Sequence, residues 1–141
     1  MNQERLMKII EDMQECIADI DECVEVLKSR KDDKLITKLS KSSLRQLFVS
    51  FHTILEDFCS IVLKEIKKYR IGITLHDSLN ILKENGVIKE DTYIFLEKSR
   101  LIRNRISHRY KEPKHEELLE HILKYNNNLE DIVKISKSYV R

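Results

Sequence analysis

The chain has 141 residues, of which 41% are hydrophobic and 35% charged, with two glycines, one proline and no tryptophan. A length of this order supports one hydrophobic core, and so few breakers exclude turn-rich all-β folds and doubly wound sheets, whose connections need Gly or Pro about every ten residues. Twenty-six basic against 24 acidic side chains leave a formal charge of +2, a balance that singles out no class of partner. The expected fold is therefore all-α: an up-and-down helical bundle of four main helices plus one short helix, with residues 1–141 forming a single domain.

Leu6, Ile10, Met13, Ile17, Ile20, Val24 and Leu27 recur in strict 4-3 steps, which predicts a first helix over about 3–29 with an acidic outer face. After the polar segment Ser29 to Lys34, apolar residues from Leu35 to Ile66 give a second long helix. Its stripe is broader than a two-helix seam, which marks the central helix touching two neighbours. Gly72 is placed to close that helix and Thr74 to open a short third one, which carries Leu75, Leu79 and Leu82 and stops at Asn85-Gly86. Asp91 or Thr92 caps a fourth helix ending near Ile106. Pro113 suits the first turn of a fifth, in which Asn126-Asn127-Asn128 weaken the helix and favour a kink.

Three cysteines, Cys16, Cys23 and Cys59, form an odd set without metal-site spacing and read as buried small hydrophobes. With no leader-like start, they point to a cytoplasmic protein. No continuous apolar run reaches the roughly 18 residues of a membrane span, so no membrane association is expected. His52, His76, His115 and His121 lack the i, i+4 spacing of a helical metal site, and no bound metal or cofactor is expected.

Local charge says more than the total. Residues 11–25 hold seven acids and no base, whereas 97–111 hold Lys98, Arg100, Arg103, Arg105, Arg109 and Lys111 against Glu97 alone. Inside this basic patch the chain reads Arg103-Asn104-Arg105-Ile106-Ser107-His108-Arg109-Tyr110, so Arg103, His108 and Tyr110 form the pattern R-x4-H-x-Y. At random spacing that triple is expected about 0.01 times in a chain of this composition, which separates it from background.

Here the sequence resembles the HEPN superfamily and, within it, the HepT-like toxins, whose hallmark is this motif with a polar residue directly after the arginine, here Asn104. The segment His76 to Ile88 is also similar to the family's short helix and Gly-Val-Ile turn. The motif-grade match covers residues 75–110; the first two helices are similar only in pattern, and helix two offers no residue to carry over as catalytic. The resemblance implies a metal-independent endoribonuclease, the toxin of a HepT–MntA-type toxin–antitoxin pair. It implies a two-fold homodimer whose motifs line one cleft. It also implies that a minimal nucleotidyltransferase, supplied by another chain, silences the toxin by transferring AMP to Tyr110.

The residue types fit that chemistry independently of the family. Arginine holds phosphate through paired hydrogen bonds and keeps its charge, and histidine as a residue type exchanges protons near neutrality. Arg103 would stabilise the phosphoryl oxygens of an RNA whose 2′-hydroxyl attacks its own phosphate, and His108 would act as general base or acid. Asn104 would orient Arg103 or His108, while Arg100, Arg105, Arg109 and Lys111 would attract the RNA backbone. Three readings compete with this one. Arg103 and His108 would equally suit a helix C-terminus, where the macrodipole favours cations. Some family members are non-catalytic nucleotide- or substrate-binding partners of a minimal nucleotidyltransferase, and the chain would also serve as a plain helical dimerisation domain. The intact Arg/His pair favours the enzyme.

Overall fold

The structure, a computed structural model, describes every residue except Arg109. It consists of α1 (Gln3–Ser29), α2 (Lys34–Glu65), α3 (Leu75–Glu84), α4 (Glu90–Ile106), α5 (His115–Lys124) and α6 (Asn126–Lys137), with no strand among the described residues. The all-helical expectation holds.

All seven residues of the α1 stripe are buried, and α1 runs antiparallel to α2. Arg5 reaches Asp57 near one end, the Cys16 thiol donates to the Leu47 carbonyl in the middle, and the Cys23 thiol donates to the Ser40 carbonyl near the other end. The same argument sets the remaining directions. His76 meets Glu97 and Lys83 meets Glu90, so α3 and α4 are antiparallel. Ser99 meets His121 and Asp91 meets Asn128, so α4 opposes the α5–α6 arm. Gln3 bonds the Tyr139 carbonyl and Asn126 bonds Asp21, returning α6 along α1. Four long legs thus alternate in direction, and α3 is the short element laid against α2 and α4.

Phe48, Phe51, Leu55, Phe58 and Val62 place α2 at the centre of the core, to which every helix contributes. By length and composition α2 is apolar enough to cross a membrane, a property that reading continuous apolar runs had missed; half of that stretch is buried inside the bundle.

Several local expectations are corrected. Helix α2 ends earlier than expected, and Lys67, not Gly72, adopts the left-handed conformation that closes it (φ 60°). The Lys68 amide donates to the Leu63 carbonyl and the Lys67 amide to the Lys64 carbonyl, the paired bonds of a Schellman closure. Gly72 (φ 80°) instead turns the chain into Thr74, whose hydroxyl caps α3 by accepting from the Asp77 amide. Helix α4 starts at Glu90, before the expected Asp91 or Thr92 cap, and Thr92 is buried. Pro113 precedes α5 rather than joining its first turn. The expected kink in the last leg is a break at Tyr125, making two helices from one. The Tyr125 ring packs 5.2 Å from Phe95 and 5.1 Å from His121, which holds the corner. Cys16 and Cys59 are buried free thiols, whereas Cys23 is only half-buried.

Candidate active site

The motif occupies the last turn of α4 and the turn that follows it. The Ser107 hydroxyl donates to the Asn104 carbonyl at 3.0 Å, the His108 amide to the Arg105 carbonyl at 3.1 Å and the Lys111 amide to the His108 carbonyl at 3.0 Å. Arg105 Nε then donates to the Lys111 carbonyl at 3.0 Å, curling the chain back onto α4. From the other side, Arg45 of α2 pairs with Glu112 and donates to the Pro113 carbonyl at 3.4 Å. The motif loop is thus pinned at both ends while its functional side chains stay outside. His108 is exposed and Tyr110 is 96% exposed.

Arg103 projects from α4 toward α2. Its guanidinium lies 3.7 Å from Glu56 and is one-third exposed, a loose pair that leaves donors available. One turn before Glu56 on α2 lies His52, close enough for its ring to feel the Arg103 charge. The His52 ring is fully buried, with Nδ1 2.8 Å from the Phe48 carbonyl. A carbonyl only accepts, so Nδ1 carries the proton and Nε2 is left as a buried lone pair without a partner among the described residues. Burial first, and then the Arg103 charge, push the His52 pKa down to about 4. His121, bonded to the Ser99 hydroxyl at 2.6 Å, is likewise pushed down to about 4 by burial and by Lys98 and Lys124. These two rings are neutral members of the core that back the site from behind.

The other cations of the patch are less free than their sequence positions imply. Arg100 makes two hydrogen bonds to Glu97, at 2.9 and 3.2 Å, and His76 makes a third at 2.9 Å. Burial pulls the Glu97 carboxyl upward, but those bonds outweigh it and hold it below the usual carboxylate range. Arg105 grips Glu117 through two bonds of 2.5 and 3.0 Å. Lys111 is exposed, and Arg109 lies outside the described residues. The Asn104 side chain is exposed and, among the described residues, makes no hydrogen bond to Arg103 or His108.

Sequence reading missed Glu56, which pairs with Arg103, and His52, one turn away on the same helix, both on a helix read as purely structural. The available signal was a histidine embedded among Phe48, Phe51 and Leu55, where an apolar residue is the default. Among the described residues no group of three or more His, Cys, Asp or Glu side chains gathers as a metal site.

Comparison with known proteins places this geometry in context. A family model described as "Ribonuclease HepT-like" matches residues 8–135. A solved structure described as the tri-AMPylated Shewanella oneidensis HEPN toxin in complex with MNT antitoxin aligns with a TM-score of 0.67 at 18% identity, covering 98% of this chain and 99% of that chain. At that identity the likeness is one of fold. No curated protein matches the chain. Because the family match spans most of the sequence and includes the whole R-x4-H-x-Y segment, the chain belongs to the HepT-like ribonuclease family of the HEPN superfamily.

Proposed function

We propose that the protein is the toxin of a HepT–MntA-type pair, a metal-independent endoribonuclease switched off by AMP on Tyr110. The observation that carries this reading is the intact R-x4-H-x-Y motif on an exposed, doubly pinned turn within the family-matched region. In the reaction, the RNA 2′-oxygen attacks its own phosphorus and the bond from phosphorus to the 5′-oxygen breaks. His108 takes the 2′-hydroxyl proton or delivers one to the leaving oxygen. Arg103 binds the non-bridging oxygens as charge builds on them. Its loose contact with Glu56 suits this role, since a 3.7 Å pair is exchanged for phosphate at small cost.

One histidine cannot readily serve both ends of the reaction. A two-fold dimer supplies the second, because an isologous interface sets a residue opposite its own copy. Asn104 would support the pair once substrate draws the motif together, and Lys111 and Arg109 would add attraction for the RNA backbone, joined by Arg100 and Arg105 where RNA phosphate displaces Glu97 and Glu117. The 96% exposure of Tyr110 leaves its hydroxyl open to a nucleotidyltransferase partner, and AMP there would add charge and bulk at the cleft entrance. The AMPylated, MNT-bound state described for the solved HEPN toxin of the same fold supports such a partner. The protein would act as one cytoplasmic domain with no membrane attachment. Incubation with RNA in excess EDTA tests the reading: fragments ending in 2′,3′-cyclic phosphate are expected. Strict dependence on added magnesium would contradict it, and intact RNA would favour the non-catalytic binding partner instead.

A further inference from the structure

The cations expected around the motif are largely engaged by carboxylates, yet a second basic surface beside the motif is not. Lys34, Lys38, Lys41 and Arg45 follow one another in 4-3-4 steps on a single face of α2, and Lys31 precedes them in the α1–α2 turn. Together with His115 of α5 they line a groove of about 560 Å3. Among the described residues, none of Lys31, Lys34, Lys38 and Lys41 lies within 4 Å of a carboxylate. Asp33, close by, is engaged as the α2 N-cap and lies 3.8 Å from Arg30. Glu112, the carboxylate among the described lining residues, is taken up by Arg45. At the groove wall His115 presents a buried Nδ1 that has no hydrogen-bond partner among the described residues.

Position gives this surface its meaning. The motif loop lies along α2, from Arg103 opposite Glu56 to Pro113 opposite Arg45. The lysine stripe begins where that loop ends and continues over the twelve residues from Arg45 back to Lys34, about 16 Å of helix axis between the two ends. That is about the axial length of five stacked nucleotides at about 3.4 Å each. Lysines spaced along a groove neutralise successive phosphates without reading bases, which gives binding that is tolerant of sequence and sensitive to salt.

We propose that the Lys31–Lys34–Lys38–Lys41 stripe of α2 is a phosphate-binding track that holds the single-stranded RNA flanking the cleavage point and feeds it to the motif loop. This inference rests on the ribonuclease reading of the site, and its test separates the two. The probe is a fluorescein-labelled 20-nucleotide oligouridylate in EDTA, followed by anisotropy against full-length His108→Ala protein, which does not consume it. Adding Lys34→Gln, Lys38→Gln and Lys41→Gln should weaken binding at least about tenfold at low salt. It should also flatten the plot of log affinity against log salt by about 2, given about 0.7 per single-strand phosphate contact. Introduced into the otherwise unchanged protein, the same three changes should raise KM and leave the saturated cleavage rate within about twofold. A control set at the far end of the bundle, Lys8→Gln, Lys134→Gln and Lys137→Gln, should change neither. Unchanged affinity and salt slope in the stripe variant, with the parent still binding and cutting RNA, would overturn the track and leave the ribonuclease standing. Failure of the parent itself to bind or cut RNA would overturn both. Loss of AMP transfer by the partner with RNA binding intact would also overturn the track, marking the stripe as a protein-docking face.

Discussion

The two neutral histidines behind the site make the fold sensitive to mild acid, and His52 is the more deeply buried of the two. Its ring is wholly buried, and its pKa is pushed down to about 4, by burial and then by the Arg103 charge. In the unfolded chain a histidine titrates near 6.5. Between those values the unfolded state takes up a proton that the native state refuses, so stability is lost as pH falls through the window and is unaffected above it. Full passage through the window costs about 3 kcal/mol, of which about 2 kcal/mol is lost by pH 5. At pH 5 ordinary carboxylates are still ionised, so few other groups contribute. His121 adds in the same direction. Urea unfolding at fixed protein concentration should show the midpoint dropping by about 1 M or more between pH 7.5 and 5.0, at a slope of about 2 kcal/mol per molar. His52→Leu, which keeps the buried volume, should shrink the difference between the two pH values by about 2 kcal/mol. An equal pH dependence in parent and variant would refute the assignment of a neutral buried His52.

Lys67 sits exposed at φ 60° where a side chain is disfavoured, so Lys67→Gly should raise stability by about 1 kcal/mol in thermal melts, and a fall would contradict the left-handed closure of α2. With the cognate nucleotidyltransferase, ATP and magnesium, intact-mass spectrometry should detect AMP additions that vanish in Tyr110→Phe. Label that persists there, or that maps to Tyr125 or Tyr139, would place the switch elsewhere. Sedimentation at micromolar concentration should give about twice the 16.9 kDa of one chain, and a stable monomer would remove the composite-cleft mechanism.

What could be read from the sequence divides along the range of the interactions involved. The expected span of α1, about 3–29, agrees with Gln3–Ser29 because its stripe is strictly periodic, and every stripe residue is buried. The end of α2 was misread because Gly72 is the cheaper left-handed residue by local preference; the chain turns at Lys67, leaving Gly72 to shape the approach to Thr74. The corner at Tyr125 depends on aromatic contacts with Phe95 and His121 and on a hydrogen bond from Lys98, 27 positions earlier. The motif itself was visible because Arg103, Asn104, His108 and Tyr110 fall within eight consecutive positions. Its surroundings were not, since Glu56, His52, Arg45 and Glu117 arrive from other helices, and only Glu97 with Arg100 could have been paired by helical spacing.

Whether Arg103 and His108 perform RNA cleavage, as proposed, is decided by single-turnover cleavage in EDTA with His108→Ala and Arg103→Ala, each checked by its thermal midpoint. His108 is exposed and Arg103 one-third exposed, so both variants should fold as the parent does. Each should cut at least about a hundredfold more slowly, while Tyr110→Phe keeps the parent's rate. A His108→Ala protein that is folded and cuts as fast as the parent would contradict the account.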